Sequence, residues 1–142
     1  MIKIFVDTNI IVDLIADRKP FSKFAIKLFK KAENKEVYLY TSSHSLATTH
    51  YLFKKYLDEK SLREVLYNLL DYIKIIAVDQ DIIKKGLKSK HKDFEDAIQI
   101  FCANTFSSMD YIVTRNIKHF RNADIPVYAP DELLEKINNS FK

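Results

Sequence analysis

Short β-prone runs alternate with amphipathic helical stretches along the whole of this chain, and that alternation restricts its fold more than any other feature. Residues 2 to 6, Ile-Lys-Ile-Phe-Val, read as a strand that runs into Asp7-Thr8-Asn9, residue types favoured at helix starts. From Phe21 the apolar residues Phe24, Ala25, Leu28, Phe29 and Ala32 keep helical spacing while lysines fill the opposite face. Val37 to Tyr40 is β-prone, and Thr41, Ser42 and Ser43 are cap candidates for a helix reaching about Leu57. Leu62, Val65, Leu66, Leu69, Leu70 and Ile73 mark a further helix, followed by a strand over Lys74 to Val78 and a short helix from Asp79 to Gly86. Asp93 to about Thr105 is helical, with Phe94, Ala97, Ile98, Phe101 and Cys102 facing the core, and Tyr111-Ile112-Val113 is a short strand closed by the loop Thr114-Arg115-Asn116. A strand at Val127 and Tyr128 and a helix from about Asp131, with Pro130 near its start, complete the order. Strands separated by helices require a parallel sheet covered on both faces, wound with right-handed crossovers.

The length of 142 residues, with no Pro-, Gly- or Ser-rich linker, fits one domain over residues 1–142. No apolar run approaches the roughly 20 residues of a membrane helix, and MIKIFVDTN enters charged sequence too soon for a signal peptide, so a cytoplasmic protein with no membrane partner is expected. Gly86 is the only glycine, which removes the phosphate loop and the dinucleotide fingerprint, since both need several. Its place after a helical stretch reads as a left-handed helix cap. The lone cysteine, Cys102, excludes an internal disulfide and a thiolate zinc site and reads as buried apolar filler. His44, His50, His91 and His119 are scattered without metal-ligand spacing and read as structural. Ser42, Ser43 and Ser45 lack a nucleophile-elbow context and read as a helix start, and Tyr51, Phe53 and Tyr56 read as core.

In an open parallel α/β sheet, ligands gather beyond the carboxyl ends of the strands, so residues directly after strands are the ones to inspect. Asp7 and Asn116 qualify. Asp93 and Asp96 lie on one side of a helix's first turn and could converge on Asp7. Each acid also sits where an Asp caps or complements a helix start, so singly each is better explained by structure. Jointly, Asp7 and Asp96 suffice to hold a hard cation, Mg²⁺ or Mn²⁺, which keeps several waters and needs only one or two carboxylates plus substrate phosphates. Such an ion activates water and stabilises charge on phosphoryl oxygens, the requirements of phosphodiester hydrolysis. Asn9 or Thr114 could orient a water or phosphate, and Arg115 could pair with a phosphate bidentately. The formal charge of +4 attracts phosphate only modestly, but Lys84, Lys85, Lys88, Lys90, His91 and Lys92 run directly into Asp93, Glu95 and Asp96. Lys92 is therefore a candidate contact for a polyanion's phosphate backbone, which on the family resemblance given below would be RNA.

Val6-Asp7-Thr8-Asn9-Ile10 with Asp13, then Asp93-Phe94-Glu95-Asp96-Ala97-Ile98, then Asp110-Tyr111-Ile112-Val113-Thr114-Arg115-Asn116, resemble a PIN domain in order and spacing, and Ile125-Pro126-Val127-Tyr128-Ala129-Pro130 is similar to the family's ending. The resemblance implies a three-layer α/β/α sandwich with a central parallel sheet. Many small members are VapC-type ribonuclease toxins, often dimeric, neutralised by a cognate antitoxin. On that resemblance the metal acids fall on Asp7 and Asp96, with Asp93 supporting. Two departures stand out: Ser45-Leu46-Ala47-Thr48-Thr49-His50 has no acid where the family commonly has a Glu, and the acid usual after Thr-Arg is Asn116. A metal-dependent endoribonuclease toxin is the expectation. A PIN-like RNA- or partner-binding module that does not cut is its alternative, and another Asp-centred α/β enzyme, such as a phosphatase, is a third reading.

Overall fold

The first strand, β1 (Ile2–Val6), carries the alternation that a sheet buried on both faces requires. Ile4 and Val6 enter one core and Phe5 the other, and all three are fully buried. This computed structural model describes residues 1–140. After β1 come α1 (Thr8–Ala16), α2 (Ser22–Glu33), β2 (Val37–Ser42), α3 (Ser43–Phe53), α4 (Glu59–Leu69), β3 (Ile73–Ile76), α5 (Gln80–Lys88), α6 (Phe94–Asn104), β4 (Tyr111–Val113), a 3-10 turn (Ile117–Phe120), β5 (Val127–Tyr128) and α7 (Pro130–Ser140). The strands stand in the order β3-β2-β1-β4-β5, every adjacent pair parallel. One face of the sheet is covered from α1, α2 and α7 through Ile10, Ile11, Ala25, Leu28, Leu133 and Ile137, and the other from α5 and α6 through Ile82, Ile98, Ile100 and Cys102. The result is the α/β/α sandwich that the strand and helix alternation requires.

The chain starts in the middle of this sheet, builds outwards to β3, and crosses back to the other side of β1 to lay down β4 and β5. The carboxyl ends of β1 and β4 therefore diverge into different connections, which is where an open α/β sheet leaves a crevice. Val6 pairs with Val113 at that point, and Asp7 N donates to Val113 O at 3.0 Å.

Several boundaries differ from the sequence reading. Helix α3 stops at Phe53, four residues before Leu57, and Ile73 opens β3 rather than closing α4. Tyr51 and Tyr56 are 60% and 81% exposed, and Phe53 is half-buried, so this stretch is not core; the short α3 leaves the aromatic residues beyond its packed turn facing outwards. Gly86 lies inside α5, buried and without a positive φ, so it is no left-handed cap. What it provides is proximity: a Cβ there would stand 3.1 Å from Phe94 Cε1 and 3.6 Å from Ile98 Cγ1. Cys102 is fully buried, as expected of filler, and burial, with a smaller contribution from Asp79, pushes its thiol up to about 12.

Candidate active site

Asp7 leaves β1 in an extended conformation and caps α1, its Oδ1 accepting from Thr8 N at 2.8 Å. It is only 6% exposed, a position that a carboxylate tolerates when hydrogen bonds replace water. They do so here. Gln99 Nε2 donates to Oδ1 at 3.0 Å and Thr114 Oγ1 donates to Oδ2 at 2.7 Å. All these donors are neutral, so Asp7 is fixed in place without its charge being cancelled by a cation.

Gln99 is the centre of this arrangement and was not anticipated from the sequence. It is 2% exposed, and its Nε2 also reaches Ser45 Oγ at 2.6 Å while its Oε1 accepts from Ser42 Oγ at 2.5 Å. Ser42 in turn caps α3 by accepting from Ser45 N at 2.9 Å, and Ser45 Oγ meets Thr8 Oγ1 at 2.8 Å. The helix-start role read for these serines holds for Ser42, but the same hydroxyls extend to the acid. A signal was present: Gln99 follows Asp96 by three positions, hence on the same helix face, amid the apolar Ala97, Ile98 and Ile100, where a polar residue needs a partner.

Asp93 caps α6, its Oδ1 accepting from Asp96 N at 3.0 Å, and so sets Asp96 in the first turn. Burial, followed by repulsion from Asp93 and then Asp7, pushes the Asp96 carboxyl up to about 6, against a lowering pull from His119. His119 Nδ1 stands 3.1 Å from Asp96 Oδ2, so this histidine is part of the site and not merely structural. Asp7, Asp96, Asn9, Asn116, Gln99, Thr48 and His44 are among the residues lining one cleft of about 240 Å³. Thr48 and Ser45 come from the stretch that lacks the family's common Glu, and His44 directly precedes it.

The remaining sequence candidates divide. Thr114 is fully buried and faces Asp7, so its hydroxyl orients the acid and is not presented to a ligand. Asn9 bridges Thr114 Oγ1 and Arg115 N, each at 3.3 Å. Arg115, read as a phosphate clamp, has its Nε 2.6 Å and its Nη2 3.0 Å from the oxygens of Asp13, and its guanidinium lies over Phe21 at 4.1 Å. That fork is already engaged by a carboxylate, so the bidentate geometry serves packing between α1 and the loop after β4. Lys92 is exposed and lines a neighbouring depression with Asp93 and Asp96.

Among the described residues no three His, Cys, Asp or Glu side chains converge into a ready metal cage. A hard cation bound mainly by water and phosphate does not require one. Two carboxylates at one cleft, with Asp93 adding negative charge, suit such an ion. Among the described residues no helix is long and apolar enough to cross a membrane.

This fold, with paired acids at the β1 and β4 switch point, is that of a PIN domain, and a PIN-domain family model matches residues 3–118; the chain belongs to that family. It is 26% identical over 141 residues to Ribonuclease VapC1 of Aquifex aeolicus (strain VF5), covering 96% of each chain. Among solved structures it is similar to a toxin-antitoxin complex from Klebsiella pneumoniae, at 26% identity, TM-score 0.62, and 89% and 96% coverage of the two chains. It also shares the fold of VapBC2 from Rickettsia felis bound to a promoter DNA fragment, at 19% identity, TM-score 0.66, and 90% and 98% coverage.

Proposed function

We propose that the protein is a divalent-metal-dependent endoribonuclease and the toxin of a cytoplasmic toxin-antitoxin pair. The observation that carries this reading is the pairing of Asp7 and Asp96 at one cleft, with Asp7 held by neutral donors and Asp96 repelled by Asp93 and Asp7. The similarity to Ribonuclease VapC1 supplies the nucleic acid, and the similarity to the Klebsiella pneumoniae complex supplies the antitoxin partner.

In this reading Asp7 and Asp96 hold Mg²⁺ or Mn²⁺, with Asp93 supporting. The ion, when bound, lowers the pKa of a coordinated water and neutralises charge on the phosphoryl oxygens. The protein's own work is positional. Gln99 and Thr114 keep the two oxygens of Asp7 aimed, Asp93 sets the turn that presents Asp96, and Asn116 and Asn9 orient water or phosphate as neutral groups. Lys92 attracts the RNA backbone. Arg115 acts through Asp13, keeping the loop that bears Asn116 against α1.

Mixed RNA incubated with purified protein in Mn²⁺ should be cut, and chelator, Asp7→Asn or Asp96→Asn should each abolish cleavage. Undiminished cutting by both variants would remove the acids from the chemistry. The lack of an acid on α3 favours a second reading, a PIN-like module that binds RNA or a partner without cutting. It calls for intact RNA in every lane and for RNA retention that falls with salt and ignores metal.

A further inference from the structure

The catalytic cleft has chemically unlike flanks. On one side it continues through Val12, Arg18 and Leu52 into a mainly apolar depression lined by Ile15, Phe53, Tyr56 and Leu57. On the other side Asp96 is shared with a basin of about 380 Å³ whose rim carries Lys90, Lys92, Lys118 and Arg121. These four are exposed, and among the described residues none forms an ion pair with a protein carboxylate. The acids of the basin are committed elsewhere: Asp93 caps α6, and Asp96 faces His119. Two of the cations precede α6 and two belong to or follow the 3-10 turn, so segments separate in sequence bring positive charge to one place beside the paired acids.

Unpaired cations assembled this way repel one another, and they suit a ligand with several negative charges at regular intervals. We infer that this basin is a phosphate-binding subsite for single-stranded RNA, holding the backbone on one side of the bond to be cut, with Lys118 and Arg121 as its unrecognised members. The inference takes its ligand from the ribonuclease reading. Nucleic acid is favoured over an acidic polypeptide because the basin opens directly onto the cleft where a phosphodiester would be processed. The depression opposite offers phosphates one cation, Arg18, against the four of the basin, so the bound strand is held asymmetrically.

The test keeps binding apart from cutting. Asp7→Asn protein, in chelator, is titrated with a fluorescent single-stranded oligouridylate over a range of KCl concentrations, alone and with Lys118→Ala and Arg121→Ala added. Each lost phosphate contact lowers the slope of log affinity against log salt by about 0.7 for a single strand, so the double replacement should reduce it by about 1.4. Lys27→Ala with Lys30→Ala removes the same net charge from α2 and should leave the slope unchanged. Thermal melts establish that each variant is folded; should the double replacement unfold the protein, Lys118→Gln and Arg121→Gln made singly should each remove about 0.7. Coincident slopes for the folded basin variants and their parent overturn the subsite, even where polyglutamate, standing for an acidic protein partner, is retained. An equal loss from the Lys27 and Lys30 pair also overturns it, because the effect would then be one of net charge. RNA cleavage by wild type with coincident slopes defeats the subsite alone. A reduced slope with no cleavage under any metal defeats the ribonuclease reading and leaves the subsite standing.

Discussion

Asp13 is a carboxylate with 1% of its side chain exposed, and its charge is met by Arg115, which arrives from 102 positions away. Removing one partner of a buried pair strands the other, and the cost is set mainly by the charge left behind. Arg115→Ala should therefore destabilise the protein by about 3 kcal/mol, the lower end for a buried pair because the arginine is itself partly exposed. Adding Asp13→Asn should recover a large part of that loss. Urea unfolding of the single and double variants checks it, and additive losses would show that the pair is not coupled. The same pair explains why the site was only partly legible. That Asp7 and Asp96 come to one cleft was legible because each has a telling local position, one after a strand and one in a helix's first turn. Whether a guanidinium faces solvent or a distant Asp13, and which partner a buried Gln99 takes, depends on how strands and helices are stacked, which no local pattern encodes.

Helices α5 and α6 meet at Gly86, whose missing side chain admits the ring of Phe94. The position is helical and needs no positive φ, so alanine is allowed by the backbone and gains up to about 1 kcal/mol in helix propensity. Its Cβ would press on the edge of a ring that is 41% exposed and free on one side to move. Gly86→Ala should therefore be neutral to stabilising by less than about 1 kcal/mol, whereas Gly86→Leu should destabilise by about 1–3 kcal/mol through overpacking. Denaturation midpoints decide; a marked loss with alanine would mean that Phe94 is held rigidly. The glycine illustrates a general limit on reading elements. The existence and order of strands and helices follow from periodicity, and all five strands were legible. A glycine required for close approach looks the same in sequence as one required for a turn, and the ends of α3 and α4 were displaced because apolar residues such as Leu57 and Ile73 continue a pattern after the helix has stopped.

At the scale of the molecule, the sheet order places β1 beside β4 and thereby concentrates Asp7, Asp93 and Asp96 at one edge of a protein whose formal charge is +4. The repulsion among these acids is a stability cost of the metal-free protein, and its sign can be worked out from Asp96. Its carboxyl is pushed up to about 6 in the folded protein from the ordinary 3.8, with burial the largest cause and Asp93 and Asp7 next. A raised carboxylate pKa stabilises the folded state fully below the unfolded value, and that stabilisation is lost as pH rises through the folded value. Relative to Asp96→Asn, which cannot ionise, the metal-free wild type should lose melting temperature between about pH 4 and about pH 7. Asp58 and Glu59, lowered respectively by hydrogen bonding with Ser61 and by His50 and then Arg63, act in the opposite direction, but they are common to both proteins and cancel in the difference. Saturating Mn²⁺ should remove the wild-type loss, because the cation relieves the repulsion that protonation relieves at lower pH, and should do little for Asp96→Asn. Calorimetric melts of both proteins at a series of pH values, with and without Mn²⁺, measure this directly. Parallel metal-free curves would mean that Asp96 ionises as freely in the fold as in the unfolded chain, and a Mn²⁺ shift of equal size in both proteins would mean that the cation is held without it.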